Sequence, residues 1–316
     1  MRDGILRTAG SAARARAIHR YRRRTSGSGK DSMTVDAHHH LWDIDVRDQP
    51  WLTVPEMEPL RRDFRPVDFA RAKRGTSVDT TVLVQTVTDP DETPEMLVLA
   101  DSVACIGAVV GWVDLAARDV RERLGELCVH PAGRWLRGIR HPVERERDPD
   151  WLCRPPVLAG LAAVEDAGLV YELLVGPHQL GAAAKAAGEF PQLTFVLDHC
   201  GRPPVGDDLE PWAAALRRLA AHPNVVCKLS GLLTEAASVG APGQAALRPC
   251  VDVVFEAFGP GRVMFGSDWP ICLLAAPYAQ VLEVSRRLTD QLGEAERAAV
   301  FDGTAREVYG LRGAPA

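Results

Sequence analysis

The sequence lacks several features that would assign it to a specialised class of protein. No apolar run approaches the roughly 20 residues that a membrane-spanning helix needs, so we expect no membrane partner. The seven cysteines are scattered and form no Cys-x-x-Cys pair, which argues against a disulfide scaffold and favours a reducing, cytoplasmic location. The net charge of -5 gives no general reason to expect nucleic acid as a partner.

The composition is that of a folded protein, with one segment of a different kind. The chain has 316 residues, of which 46% are hydrophobic and 25% are charged, so a well-buried core is expected. Residues 1–32 are instead rich in Arg, Ala, Ser and Gly, and carry eight arginines and one lysine against two aspartates. We expect a disordered basic extension there: an organelle-type presequence, a basic tail or untranslated sequence before a start at Met33. Residues 33–316 are expected to form a single domain.

Eight short apolar runs alternate with amphipathic segments in residues 33–316. The runs are 34–40, 80–87, 105–115, 135–141, 169–176, 193–200, 225–231 and 262–270. Their β-branched and nearly continuous apolar character is typical of strands that are covered on both faces. The alternation predicts an α/β fold, a closed parallel (β/α)8 TIM barrel. The alternative is an open doubly wound sheet, which favours a Gly-rich phosphate turn after the first strand, whereas this first run ends in histidines.

Polar side chains with chemical capability lie near the ends of most of these predicted strands. They are His38 and His40 in the first, Arg140 and His141 in the fourth, Asp198 and His199 in the sixth, Lys228 and Ser230 in the seventh, and Ser267 and Asp268 in the eighth. In a barrel the carboxyl ends of the strands ring one mouth, where residues far apart in sequence converge. A functional site is therefore expected at that mouth.

The stretch "VDAHHHLWD" contains the most specific pair among these residues. His38 and His40 are two apart, so on a strand they share one face, while His39 points toward the helices. Two imidazoles on one strand can share a divalent metal or hold a substrate oxygen. Asp268, at the end of an apolar strand, is costly to bury without imidazoles or a metal beside it; the alternative is a cap for the following helix.

Other candidates have both a binding and a structural interpretation. Arg140 can clamp a carboxylate or polarise a carbonyl, or else form an ion pair with Glu172 inside the barrel. Lys228 has the same two interpretations. The Pro-rich segment 41–74, which includes Trp42 and Trp51, predicts a long loop over the barrel mouth followed by a helix.

The motifs "DAHHHLWD", "PWL", "GIRH", "VLDHCGRPP", "KLSG" and "RVMFGSDWP", in this order, resemble the amidohydrolase-related family of sugar-lactone hydrolases. This family includes L-fuconolactonase, L-rhamnonolactonase and 2-pyrone-4,6-dicarboxylate lactonase. The resemblance runs from about residue 33 to about residue 311. It implies an amidohydrolase-type barrel and a hydrolase that opens a small cyclic ester, with a sugar-acid lactone as the leading candidate.

The resemblance also implies roles for individual residues. Asp268 would activate the hydrolytic water, and His38, His40 and His199 would polarise or orient the lactone carbonyl. The expected substrate-binding residues are Arg140, His141, Lys228, Trp42 and Trp51.

The metal content has two interpretations. One zinc ion held by His38, His40 and Asp268 is chemically reasonable. Metal-free catalysis is the other, because lactones are activated esters for which a general base and carbonyl polarisation suffice. The resemblance implies no two-metal site, since two-metal amidohydrolases take a histidine from the fifth strand, and this sequence offers Glu172 there.

Two alternatives to lactone hydrolysis stay open from the sequence. One is a metal-dependent decarboxylase of an unsaturated or aromatic carboxylic acid on the same scaffold, and the other is a barrel that binds a ligand without catalysis. The expected partner is a small-molecule lactone or carboxylate, and a homodimer is a further expectation. The motifs do not identify the individual lactone.

Overall fold

Eight parallel strands form one sheet in the computed structural model, which describes residues 33–240 and 243–311. The expected basic extension, residues 1–32, lies outside the described residues. The strands are β1 (Thr34–His39), β2 (Val78–Val84), β3 (Ile106–Gly111), β4 (Leu136–His141), β5 (Val170–Leu173), β6 (Phe195–Leu197), β7 (Val225–Leu229) and β8 (Val263–Phe265). Each strand pairs in parallel with the next in chain order.

The sheet closes between its first and last strands. His39 and Trp269 form a parallel bridge. The amide of Asp268 donates to the carbonyl of His38 at 2.8 Å, and the amide of His40 donates to the carbonyl of Trp269 at 2.7 Å. The predicted (β/α)8 barrel is therefore confirmed, and the open doubly wound sheet is wrong for this chain.

Helices return the chain between successive strands and continue beyond β8. They are α1 (Pro66–Ala72), α2 (Glu92–Ser102), α3 (Val120–Val129), α4 (Pro155–Asp166), α5 (Leu180–Glu189), α6 (Glu210–Ala220), α7 (Leu232–Ser238), α8 (Gln244–Phe258), α9 (Tyr278–Leu288), α10 (Glu294–Ala298) and α11 (Thr304–Tyr309). In α6, Trp212, Leu216 and Leu219 recur at helical spacing and are all buried, which fixes the face that packs on the sheet. Among the described residues, no helix has the length and apolarity to cross a membrane.

Apolar side chains fill two layers of the barrel. Inside the ring of strands, Val35, Val82, Val110 and Val196 are fully buried, and Tyr309 of α11 packs on the same cluster. A larger buried cluster lies between the outer face of the strands and the helices. Both faces of each strand are thus covered, which explains the nearly continuous apolar runs in the sequence.

Strand β1 contains an irregularity that the alternation rule alone does not predict. Asp36 pairs with Thr81 and His39 pairs with Leu83, so three steps along β1 match two steps along β2. This is a β-bulge with one extra residue. Because of it, His38 turns toward the barrel interior, although the Asp36 carboxyl two residues earlier contacts Tyr278 of α9 in the helix layer.

Segment 41–65 forms the long connection after β1 that the sequence predicts. It contains two short 3-10 helices, Pro50–Thr53 and Pro55–Leu60, and is followed by α1. Trp42 and Phe64 form an antiparallel bridge that joins the two ends of this connection. The connection therefore returns close to its own starting point.

Candidate active site

Asp268 and three histidines meet at the carboxyl end of the barrel. Asp268 Oδ1 lies 3.5 Å from His40 Nε2, 3.8 Å from His38 Nε2 and 4.0 Å from His199 Nε2. All four side chains are buried, and Asp268 Oδ1 has no hydrogen-bond partner within the described part of the chain. The strand-end residues therefore converge in space, and they leave one carboxylate oxygen available.

Left-handed turns bring two of these side chains into the site. Strands β6 and β8 end at Leu197 and Phe265, several residues earlier than the sequence indicates. His199 and Asp268 then have φ values of 51° and 58°, a region that residues other than glycine seldom adopt. Gly231 makes room for the first turn, since a Cβ there would lie 3.0 Å from the His199 side chain.

The tautomer of His40 follows from its hydrogen bond. His40 Nδ1 lies 2.7 Å from the carbonyl oxygen of Val84, which can only accept, so Nδ1 carries the proton and donates. Burial, followed by the charge of Arg140, lowers the pKa of His40 to about 3, so the ring is neutral. The unprotonated Nε2 of His40 therefore points its lone pair into the site, the orientation that a carbonyl acceptor imposes on metal-binding histidines.

His38 occupies the centre of the site and contacts groups on both sides of its ring. Its Nε2 lies 3.2 Å from both His40 Nε2 and Arg140 Nη1. Its Nδ1 lies 3.0 Å from Lys228 Nζ and 3.4 Å from Asp198 Oδ1. Burial and the charge of Lys228 hold the pKa of His38 well below its usual value. This imidazole is therefore neutral and wedged between fixed charges.

A buried cluster of charges lies on the Nδ1 side of the His38 ring. Lys228 Nζ lies 2.7 Å from Glu172 and 3.1 Å from Asp198, and Arg140 Nη1 donates to Asp198 at 3.1 Å. Burial opposes ionisation of Asp198, but Lys228, His38 and Arg140 together hold its pKa well below the usual range. Burial raises the pKa of Glu172 to about 7. Of the two interpretations of Lys228, the internal ion pair with Glu172 is the one that the structure contains.

A cavity of about 190 Å³ opens onto the Asp268 and histidine cluster. Among the residues that line it are His40, Trp51, Gln85, Arg140, Glu144, His199, Arg202, Glu235 and Asp268. On one wall, Arg202 donates hydrogen bonds to both Glu144 and Glu235. Sequence reasoning missed these three residues, although Arg202 lies in the motif "GRPP" directly after the sixth strand.

Three of the expected substrate-binding residues do not reach this cavity. Lys228 has a fully buried side chain within the ion-pair cluster. Trp42 packs edge-on against Trp51, with ring centroids 5.2 Å apart, and is not among the residues that line the cavity. His141 stacks on Trp151 and bonds to Glu146, away from the cavity wall. These positions indicate that the three residues support the site and do not contact a substrate in the cavity. Arg140 and Trp51, by contrast, line the cavity.

The electrostatic setting favours a base with neutral imidazoles around it. Burial raises the pKa of Asp268 above its usual value, which strengthens the carboxylate as a proton acceptor. Burial lowers the pKa of His199 to about 4, and its Nδ1 shares a 2.8 Å hydrogen bond with Ser230 Oγ. His39 lies outside this setting and stacks on Phe69 of the helix layer, as expected from its strand position.

Comparison with known proteins places this geometry in a family. The model of the amidohydrolase family matches residues 35–311. The chain belongs to the amidohydrolase family. An L-fucono-1,5-lactonase of Burkholderia multivorans is 38% identical over 291 residues, which cover 89% of this chain and 97% of that protein. The resemblance inferred from the sequence motifs is therefore confirmed.

Solved structures extend this comparison. An amidohydrolase of Burkholderia multivorans with bound zinc has a TM-score of 0.83 at 38% identity, and the match covers 89% of this chain and 100% of that one. A 5-carboxyvanillate decarboxylase of Sphingomonas paucimobilis has a TM-score of 0.56 at 17% identity, over 89% of this chain and 100% of that one. The second likeness shows a shared fold only, so the decarboxylase alternative gains no specific support.

The donor set of this amidohydrolase fits one divalent metal ion. The ligand atoms of His38, His40 and Asp268 lie within 4.8 Å of one another, and all three residues are buried. The lone pair on His40 Nε2 and the unpartnered Oδ1 of Asp268 provide two donors for a metal. Imidazole nitrogens with a carboxylate oxygen are a usual donor set for zinc.

Proposed function

We propose that this amidohydrolase hydrolyses the lactone of a sugar acid, with Asp268 as the general base. The observation that carries the proposal is the buried Asp268 Oδ1, which faces the cavity beside three neutral histidines and has no partner among the described residues. The lactonase of Burkholderia multivorans supports the substrate class. The expectation of a lactone-hydrolysing enzyme, made from the sequence, is confirmed at this level by that relative.

The proposed reaction adds one water to the ring ester. Asp268 accepts a proton from the water, and the resulting hydroxide attacks the lactone carbonyl carbon. The tetrahedral intermediate then collapses, and the bond between the carbonyl carbon and the ring oxygen breaks. The ring oxygen leaves with the proton that Asp268 had taken, so the product is an open-chain hydroxy acid.

Arg140 is the residue best placed to stabilise charge on the carbonyl oxygen. Its guanidinium is fixed by Asp198 and by the carbonyl of Gln85, which accepts from Nη2 at 2.5 Å, while its Nε has no partner among the described residues. A cation held in place before the reaction costs no reorganisation when negative charge develops. His199, on the left-handed turn after β6, assists Arg140 in stabilising this charge.

One divalent ion, with zinc as our proposal, would be held by His38, His40 and Asp268. When bound, it would supply a Lewis acid that polarises the carbonyl or lowers the pKa of a bound water. The zinc-containing relative supports this assignment. Elemental analysis of the purified protein tests it without reference to activity.

The cavity wall suggests how the sugar is recognised. Trp51 offers an apolar ring, while Glu144 and Glu235 offer acceptors for sugar hydroxyl groups. Their bonds to Arg202 hold both carboxylates in fixed positions. We therefore assign substrate orientation to this wall and the reaction itself to Asp268.

A pH-indicator assay tests the proposed function directly. The purified chain is given a panel of sugar lactones that includes L-fucono-1,5-lactone, with and without a chelator. We expect acid release on at least one lactone, and a loss of roughly 10²- to 10⁴-fold in kcat for Asp268→Asn. A folded Asp268→Asn protein with wild-type rates would contradict the proposed base.

Two further expectations from the sequence stay predictions. All seven cysteines lie in the described part of the chain and are free, which supports a reducing cytoplasmic location. A homodimer is the second expectation, and sedimentation at two protein concentrations would test it.

A further inference from the structure

We propose that Asp36 is a positioning residue that holds His38 and Asp268 in register across the closure of the barrel. The inference rests on the proposed function, because it concerns how the proposed catalytic groups are kept in place. Asp36 does not line the cavity, and its carboxyl faces the helix layer. Any effect on the reaction must therefore pass through the residues that it holds.

The Asp36 carboxylate accepts four hydrogen bonds although the side chain is fully buried. Oδ1 accepts from the amide of His38 at 3.1 Å and from the amide of Ser267 at 2.8 Å. Oδ2 accepts from the hydroxyl of Ser267 at 2.6 Å and from the hydroxyl of Tyr278 at 3.0 Å. Three of the four bonds thus go to the two segments that carry the catalytic groups.

On β1, the carboxylate supports the bulge that turns His38 toward the site. The extra residue takes His38 out of step with β2. The amide of His38 donates to the side chain of Asp36, two residues earlier, and this bond closes a local turn across the bulge. The bulge and the direction of the His38 ring are therefore tied to Asp36.

On the β8 side, the carboxylate braces the backbone on both sides of Asp268. Ser267 donates to Asp36 through its amide and its hydroxyl, and the same hydroxyl oxygen accepts from the amide of Trp269 at 3.0 Å. Asp268 between them has a φ of 58°, a conformation that needs support from its surroundings. The brace therefore acts on the strained residue that we propose as the base.

A set of matched variants tests this role by separating kcat from KM. Asp36→Ala removes the acceptor, and we expect kcat to fall about 10- to 100-fold with little change in KM, because the base is misplaced while the binding wall is intact. Asp36→Asn restores an acceptor for the two amides and should recover most of kcat. Tyr278→Phe removes only the bond to the helix layer and should keep kcat near wild type.

Thermal unfolding of each variant, together with a crystal structure of Asp36→Ala, completes the test. A folded Asp36→Ala protein with wild-type kcat, or with Asp268 unmoved in the crystal, would overturn the inference. So would an equal loss of kcat in Tyr278→Phe at equal stability. If Asp36→Ala does not fold, Ser267→Ala takes its place with the same expected loss, and a wild-type kcat in that variant would overturn the inference equally. Wild-type rates in Asp268→Asn would instead overturn the proposed function, which keeps the two failures apart.

Discussion

Two networks of charged side chains lie near the site, one behind His38 and one on the cavity wall, and they differ chiefly in burial. Below the site, the side chains of Lys228, Glu172 and Asp198 are all 0% exposed. On the wall, the side chains of Arg202, Glu144 and Glu235 are 37%, 19% and 24% exposed. A buried charge is costly unless it is paired, whereas a partly hydrated one can exchange its partner for a ligand. Paired acidic and basic side chains are therefore committed to the fold in one place and accessible to a substrate in the other.

The largest effect is expected from breaking the buried network. Lys228→Met leaves two buried carboxylates without their shared cation, so the free energy of unfolding should fall by about 3–5 kcal/mol. Urea denaturation monitored by tryptophan fluorescence measures this. A second variant, Lys228→Met with Glu172→Gln, should recover part of the loss because it removes the charge of Glu172, whereas Asp198 keeps its bond to Arg140. A loss of unfolding free energy no larger than that of an ordinary surface substitution would mean that the buried network contributes as little to stability as the network on the cavity wall.

The pH dependence of that loss sharpens the comparison. The pKa of Glu172 is raised from 4.5 to about 7, so its contribution to stability is present below pH 4.5 and is lost as the pH rises through about 7. Without Lys228 that pKa rises further, and ionisation of Glu172 becomes more costly. The stability deficit of Lys228→Met should therefore be smaller at pH 5 than at pH 8. Urea titrations at both values measure it, and a deficit independent of pH would contradict the assignment.

Breaking the network on the cavity wall should affect substrate binding more than stability. Arg202→Gln releases Glu144 and Glu235 on the cavity wall, and we expect KM for the lactone to rise about tenfold while stability changes little. Steady-state kinetics with a thermal melt measures both. The matched control is Arg217→Gln, which breaks an exposed pair with Glu256 on the outer helices and should leave both quantities unchanged. Unfolding of Arg202→Gln would show that this wall is part of the structural frame.

Much of the fold and the centre of the site could be predicted from the sequence. The eight runs are continuous in apolarity because their strands are covered on both faces, and this pattern needs no knowledge of contacts. His38, His40 and Asp268 could be placed together because a closed barrel brings strand ends to one mouth. Local pattern and topology were sufficient for these predictions.

Other features depend on contacts between distant parts of the chain and could not be predicted. Period-two alternation puts Asp36 and His38 on one face, but a bulge after Asp36 turns His38 to the opposite face, and the Asp36 carboxyl contacts Tyr278. Positive φ values end β6 and β8 early, although "LDHC" and "FGSD" read as extended sequence. Lys228 looks available for substrate until its burial against Glu172 is known. In each case a partner far away in sequence decides the outcome.

The smallest effect is expected from a hydrogen-bonded pair, His141 and Glu146, that belongs to neither network. His141 donates from Nε2 to Glu146 at 2.8 Å and accepts from Trp112 at Nδ1, so both ring nitrogens are engaged outside the cavity. Although the sequence predicts substrate contact for His141, His141→Gln should change kcat/KM by no more than about twofold, because neither nitrogen can reach the lactone without breaking these bonds. Kinetics on the lactone that wild type hydrolyses fastest measures it. A tenfold rise in KM would instead mean that the loop after β4 rearranges when substrate binds. His141 would then contact the substrate, as its place at the end of the fourth strand predicts.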